Sequence, residues 1–360
     1  MAIKTIKEES LTALGDAIRA KTGNEDLLEF PNGMVDVINS FSLVPDEAFV
    51  LTGNCNYRFY GGANQWLIDS YGDKIIANNI TSAENMFGSN TQIKIIPFEL
   101  NFKNKLTPPS LFSGCNQLIE LPKITNLAGG SSLCSGCKKL ISLNGNKLVT
   151  PTTTFPMDYM FQNCHSLRSV DGFFDNIPDI YAGNSIFGMY YVFNGCYSMD
   201  ELVNLPYLYL TYSGSSYGFG GCFDHCARLK ELTFRGGAVT STTAKSTVLA
   251  LNNCVGYASD YTHLTSQGFS MDTRVTDDET YQALKENPDW WTTNSAYSRY
   301  NHDSAVNTLN SLPDFSSLSI TMTIKFKGAS GALTDGGAIN TLTEEEIAVA
   351  TAKGWTVTLV

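Results

Sequence analysis

The chain has 360 residues, 43% of them hydrophobic, so it is long enough for one large domain or two to three ordinary ones and too apolar for global disorder. Charged residues make up 16%, below the roughly 25% of an average soluble domain, and the formal net charge is −11. No run of Lys and Arg is present, which argues against nucleic acid and anionic membranes as partners.

The first ten residues, Met1 to Ser10, lack the apolar core of a signal peptide. No apolar stretch nears the roughly 20 residues that span a bilayer, so no membrane insertion is expected. The nine cysteines are an odd number, and without a secretory leader a disulfide framework is not the default.

In chain order, Thr5 to Glu8 reads as a helix capping box, followed by an apolar stripe at Leu11, Leu14, Ala17 and Ile18 and a C-cap at Gly23. A second short helix carries Val35, Ile38 and Phe41. Residues 1–42 thus predict a small helical attachment hairpin, and residues 43–82 a linker or amino-terminal cap.

From there a phrase recurs: an apolar or aromatic pair, two small residues, Cys, then Leu three and six positions on. Its core residues are Phe87; Phe112, Cys115, Leu118 and Leu121; Cys137 and Leu140; Phe161, Cys164 and Leu167; Phe193, Cys196 and Leu202; and Phe223, Cys226, Leu229 and Leu232. Asn90 holds the Cys slot of the first copy, and a worn copy is read at Leu251 to Cys254. The slot residues Asn90, Cys115, Cys137, Cys164, Cys196, Cys226 and Cys254 are spaced by 25, 22, 27, 32, 30 and 28. Such periods imply one short strand and one compact return per copy, with a core made only by stacking. The expected fold over 83–256 is therefore an α/β repeat solenoid of short strands and short helical or irregular returns. Cys is suited here to a tight buried corner, as a small hydrophobe with a weak donor.

Residues 257–360 read as an aromatic insert and an α/β capping unit. Helices are expected near Thr276–Glu286 and Ser304–Leu312, and a strand over Ser319–Lys327. A last helix is capped by Thr343 and closed by Gly354, before a final strand to Leu359.

Chemistry-bearing patterns are few. Cys134 and Cys137 have CxxC spacing, but both fall on repeat slots, as do Cys222 and Cys226 around His225. The four histidines (His165, His225, His263 and His302) make no metal-binding pattern. No metal, cofactor or catalytic residue is predicted, and no phosphate cradle is present. Acidic runs at Asp277–Glu279 and Glu344–Glu346 sit at helix starts, where the macrodipole favours them. The one distinctive stretch is rich in tyrosine: Tyr181, Tyr190, Tyr191, Tyr197, Tyr207, Tyr209, Tyr212 and Tyr217. Tyrosine offers large contact area and a hydroxyl at low entropy cost. Tyr207, Tyr209, Tyr212 and Tyr217 are the candidate ligand-binding residues; packing between repeats or against another subunit is the competing account. Trp290 and Trp291 are a weaker second candidate.

The repeated phrase resembles the BspA-like leucine-rich repeats of bacterial surface proteins and bacteriophage tail or fibre proteins, over roughly residues 83–235. The run Leu342 to Thr356 is similar to the ends of such phage and gut-bacterial repeat proteins. The run Leu11 to Gly23 is similar to the start of many phage minor tail proteins of Gram-positive hosts. Secreted members carry a signal peptide and often a wall anchor, which this sequence does not show. The resemblance implies a leucine-rich-repeat-like fold and a non-enzymatic virion component, made in the host cytoplasm, that binds a host-surface glycan or protein. It also implies that residues 1–42 contact other virion proteins, and it allows a homo-oligomer such as a trimer. A bacterial cell-surface adhesin is the alternative, and a glycan-degrading enzyme, which would need two carboxylates in a cleft, the third.

Overall fold

A computed structural model describes residues 48–150, 156–177, 190–206, 221–224, 226, 229–239, 247–255, 300, 302–328 and 342–359. The chain divides into two compact units, Met1–Ala48 and Phe49–Val360. The expected hairpin at 1–42 lies outside the described residues. The second unit holds all the described strands.

These strands form three separate sheets, and all pairings between them are parallel. The first runs β1 (Phe49–Asn54), β2 (Ile75–Ser82), β3 (Leu100–Leu106), β4 (Ile124–Leu127). The second pairs β5 (Glu201–Leu205) with β6 (Glu231–Phe234), and the third runs β7 (Thr247–Val255), β8 (Met322–Gly328), β9 (Trp355–Leu359). The α-helices among the described residues are α1 (Gln65–Tyr71), α2 (His302–Ser311) and α3 (Glu344–Ala352). None of them is long and apolar enough to cross a membrane.

This corrects the expected α/β repeat solenoid of short strands with short helical or irregular returns. The architecture is mixed α/β with three parallel sheets and short strands. Two local causes are visible. From β4 to β5 the β-pairing among the described residues is reduced to the isolated bridges Glu120↔Ser142 and Ser169↔Glu201, so no single sheet runs through these copies, which are joined instead by hydrogen bonds between their turns. And the described returns of 83–235 hold turns rather than helices, because each turn carries left-handed residues that a right-handed helix cannot accommodate. The worn copy is corrected too: Leu251 to Cys254 lie on the nine-residue strand β7, not in a turn.

The turns stack in register. In the first, the N–H groups of Tyr57, Phe59 and Gly61 donate to the carbonyls of Glu84, Met86 and Gly88 in the next turn, at 2.9, 2.6 and 2.8 Å. The intervening N–H groups of Arg58, Tyr60 and Gly62 donate back three residues within their own turn. Peptide planes can alternate this way because Tyr57 and Gly61 are left-handed (φ 56° and 59°), and the same four-residue alternation recurs at Asn85/Ser89, Ser110/Gly114, Ser132/Gly136, Tyr159/Asn163 and Tyr191/Gly195. Backbone polar groups that would be costly to bury are thereby paired.

Side chains repeat the stacking. Phe59, Phe87 and Phe112 lie face to face with centroids 5.1 and 5.4 Å apart, and Phe161, Phe193 and Phe223 do so at 5.9 and 6.0 Å. Cys134 interrupts the stack in the Phe slot. Every core residue named from the repeats is buried, from Phe87 to Leu232.

The Cys slot has a specific partner. The thiols of Cys115, Cys137, Cys164, Cys196 and Cys226 donate to the carbonyls of Phe87, Phe112, Cys134, Phe161 and Phe193, at 3.0 to 3.3 Å. Asn90 makes the equivalent bond through its amide to the Phe59 carbonyl at 3.3 Å. That shared donor is why Asn can replace Cys where Ala or Val would leave the bond unmade.

Apolar residues three apart would face opposite sides of a regular strand. Here both point inward, as with Ala77/Ile80, Ile124/Leu127 and Leu202/Leu205. Left-handed Asn79, Asn126 and Asn204 lie between them, and at Asn79 and Asn204 the register shifts by one.

The carboxy-terminal elements are tied to this ladder. On α2, Thr308 donates to the Leu232 carbonyl at 2.6 Å, and the Ser311 hydroxyl accepts from the Phe234 N–H at 3.1 Å. The capping box expected at Thr343 forms: Thr343 Oγ1 accepts from the Glu346 N–H at 3.2 Å, and Glu346 accepts from the Thr343 N–H at 2.8 Å. Gly354 (φ 82°) then turns the chain into β9, where buried Trp355 donates to the Pro313 carbonyl at 2.8 Å.

Candidate binding surface

Tyr207, Tyr209, Tyr212 and Tyr217 lie outside the described residues, as do Tyr181, Trp290 and Trp291. Of the tyrosine-rich stretch, Tyr190, Tyr191 and Tyr197 are placed. Tyr197 is buried and packs on His165 with ring centroids 5.2 Å apart. Tyr190 and Tyr191 are half-buried and join Tyr159, a residue outside that stretch, on the edge of the stacked turns. Tyr159 and Tyr191 are parallel at 5.8 Å, and Tyr190 meets both edge-on at 5.4 and 4.2 Å.

Register explains the trio. Tyr159 and Tyr191 occupy the same left-handed slot in successive turns, and Gly221 (φ 59°) comes next in that column. A Cβ there would sit 2.5 Å from the Tyr191 ring, so glycine is what allows the ring to lie over the next turn. Asp158 lies beside the trio. Burial pushes its carboxyl above the ordinary range, partly offset by the Tyr190 backbone N–H.

At the other end of the ladder the same slot holds Tyr57, which contacts Tyr60 edge-on at 5.6 Å. They are 50% and 43% exposed. The Tyr57 hydroxyl donates to Glu84 at 3.0 Å, and this bond to a carboxylate raises the phenol's pKa above its ordinary value.

A second surface is the open face of the first sheet. A cleft of about 430 Å³ is lined there by Asp73, Glu99, Glu120 and Lys123 around Ile76 and Ile95, the last two 47% and 56% exposed. The Lys123 ammonium donates to the Asn144 carbonyl.

The cysteines whose side chains are described are buried. Cys115, Cys134, Cys164 and Cys222 are held well above the ordinary thiol range by burial, so they stay protonated, whereas nucleophiles and metal ligands are thiolates. The eight cysteines Cys55, Cys115, Cys134, Cys137, Cys164, Cys196, Cys222 and Cys226 are free, and among the described residues no group of His, Cys, Asp and Glu is placed to hold a metal ion. His225 lies outside the described residues. His165 is buried, and that burial, with the Lys138 charge adding to it, lowers its pKa to about 3.

No protein-family model, curated protein or solved structure matches this chain.

Tyr57, Tyr60 and Tyr159 were not singled out from the sequence. A signal did exist: Tyr57-Arg58-Phe59 stands 28 residues before Asn85-Met86-Phe87 and is in phase with it. The turn at Phe59 carries no marker because Gly62 stands where a Cys or Asn would mark the copy.

Proposed function

We propose that the chain is a non-enzymatic structural protein of a bacteriophage particle, of tail-fibre, receptor-binding or decorating type, that binds a host-surface glycan or protein. Its first 42 residues are its attachment to other virion proteins. The observation that carries the binding reading is the Tyr159–Tyr190–Tyr191 cluster. It presents aromatic faces and hydroxyls on a turn edge whose backbone is fixed by hydrogen bonds on both sides. Ordering such a surface costs little on binding, because its side chains are already in place. The virion reading rests on the resemblance of the repeats and of both chain ends to phage proteins.

The test is binding of the fluorescently labelled full chain to a panel of Gram-positive cells, with soluble sugar release assayed in the same samples. Strain-selective binding without release is the expected result. Released sugar would replace the binding role by an enzymatic one, and absence of binding to every strain would remove host recognition.

A further inference from the structure

We infer that the ligand is an uncharged oligosaccharide lying lengthwise along the turn edge, held at its ends by Tyr159 and Tyr57. This rests on the binding reading above and specifies its chemistry.

The strip is defined by register. One left-handed residue per turn, from Tyr57 through Asn85, Ser110 and Ser132 to Tyr159, forms a column. Each N–H in it donates to the next turn: Tyr57 to Glu84, Asn85 to Pro109, Ser110 to Ser131 and Ser132 to Asp158. Hydrogen-bonded chains lie ~4.8 Å apart, so the four steps from Tyr57 to Tyr159 span about 19 Å, the length of a short oligosaccharide.

The strip's composition selects the ligand. Its ends are aromatic, and rings of this kind stack on the C–H face of a sugar. Its floor carries only the amide and hydroxyls of Asn85, Ser110 and Ser132, half-buried and uncharged. Beside that column, Gly88 brings the Asn85 amide and the Tyr60 ring together: a Cβ at Gly88 would lie 2.8 Å from Asn85 Oδ1 and 3.2 Å from the ring. Neutral donors and acceptors hydrogen-bond sugar hydroxyls without desolvating a charge.

Other ligand classes fit less well. A protein interface has an apolar core, and none of the exposed large hydrophobic residues belongs to the floor. An anionic polymer would meet Glu84 and Asp158, which mark the two ends of the strip, and would find no Lys or Arg among the column residues.

The experiment is calorimetric titration of the full chain with neutral and anionic oligosaccharides of increasing length. Tyr159→Asn and Tyr57→Asn are run alongside. Asn tolerates the left-handed slot and already occupies it at Asn85, so these variants keep the turn. Ser132→Asp, which charges the floor, is a third variant, and matched melting curves establish that all three are folded. Expected are binding of neutral chains that strengthens with length, little binding of anionic ones, and about tenfold weaker binding for each tyrosine variant. Cell binding that survives unchanged in the Tyr57→Asn/Tyr159→Asn double variant overturns this inference and leaves the proposed function standing. So does cell binding with no affinity for any neutral oligosaccharide. Failure of the parent chain to bind any cell overturns the proposed function itself.

Discussion

The stacked turns and the carboxy-terminal sheet both bury one side of a parallel arrangement, and they do it by opposite means. In the turns, copies meet through a Phe contact wherever Phe fills its slot, a Cys or Asn bond to a carbonyl and alternate backbone N–H groups, again and again. In the carboxy-terminal elements, the long registers of the β7–β8–β9 sheet are accompanied by single features that occur once: Thr308 on the Leu232 carbonyl of β6, Trp355 on the Pro313 carbonyl, the Thr343 capping box. Repetition spreads the stabilisation over equivalent contacts and leaves the outer slots free to vary. Uniqueness concentrates it, so each such residue is fixed by several partners.

Breaking the turns at their centre tests this most severely. Phe193 is fully buried between Phe161 and Phe223, and Phe193→Ala is expected to cost ~3–5 kcal/mol. In hydrogen exchange, protection should fall first in the turns on either side and last in β7–β9. Equal early loss in both regions would show that they unfold as one unit.

Acid is the next largest lever, and it acts on the turns. His165 is buried with Tyr197 against its ring and the Lys138 charge nearby, and its folded-state pKa is lowered to about 3. The unfolded chain therefore takes up this proton first. The stability contributed by neutral His165 is present above its ordinary value near 6.5 and is lost as pH falls from there towards 3. At pH 5 the loss is about 2 kcal/mol. Denaturant midpoints measured from pH 7 to pH 4 should show it, and His165→Phe should flatten the slope.

A smaller effect isolates the repeated thiol bond. Cys196→Ala removes the donor to the Phe161 carbonyl and should cost about 1 kcal/mol, against less for a Ser that keeps a donor. Burial raises the Cys196 thiol far above its ordinary range, so iodoacetamide should label it only on unfolding. Labelling at native rates would contradict the buried bond. Thr343→Ala, which breaks the capping box of α3, should cost a similar ~1 kcal/mol, and its exchange effect should stay within α3 and β9.

The two regions also differed in how far their sequences could be read. The Phe, Cys and Leu slots recur at fixed offsets, so their burial was legible, as was the Thr343…Glu346 box, because a capping box is local. The thiol partner was not legible: it is a carbonyl 25 to 35 residues away, in the preceding turn. Tyr159 was missed because aromatic residues in an otherwise variable slot carry no periodic signal. The expected solenoid failed for a related reason. Periodicity reports that copies exist, but not whether their strands pair continuously, and from β4 to β5 the β-pairing among the described residues is reduced to isolated bridges.

The sequence by itself determined the unit of repetition, the residues each copy buries, the sparsely charged, acidic composition and the helix start at Thr343. These follow from spacing, composition and local hydrogen bonding, which need no knowledge of distant neighbours. Only the tertiary structure decided that the described strands divide into three parallel sheets, that Cys115, Cys137, Cys164, Cys196 and Cys226 donate into the turn before them, and that Tyr57 and Tyr159 stand in one column across a serine and asparagine floor. Those outcomes depend on register between turns that are far apart in the chain, and register is set by the sum of many small contacts rather than by any one residue.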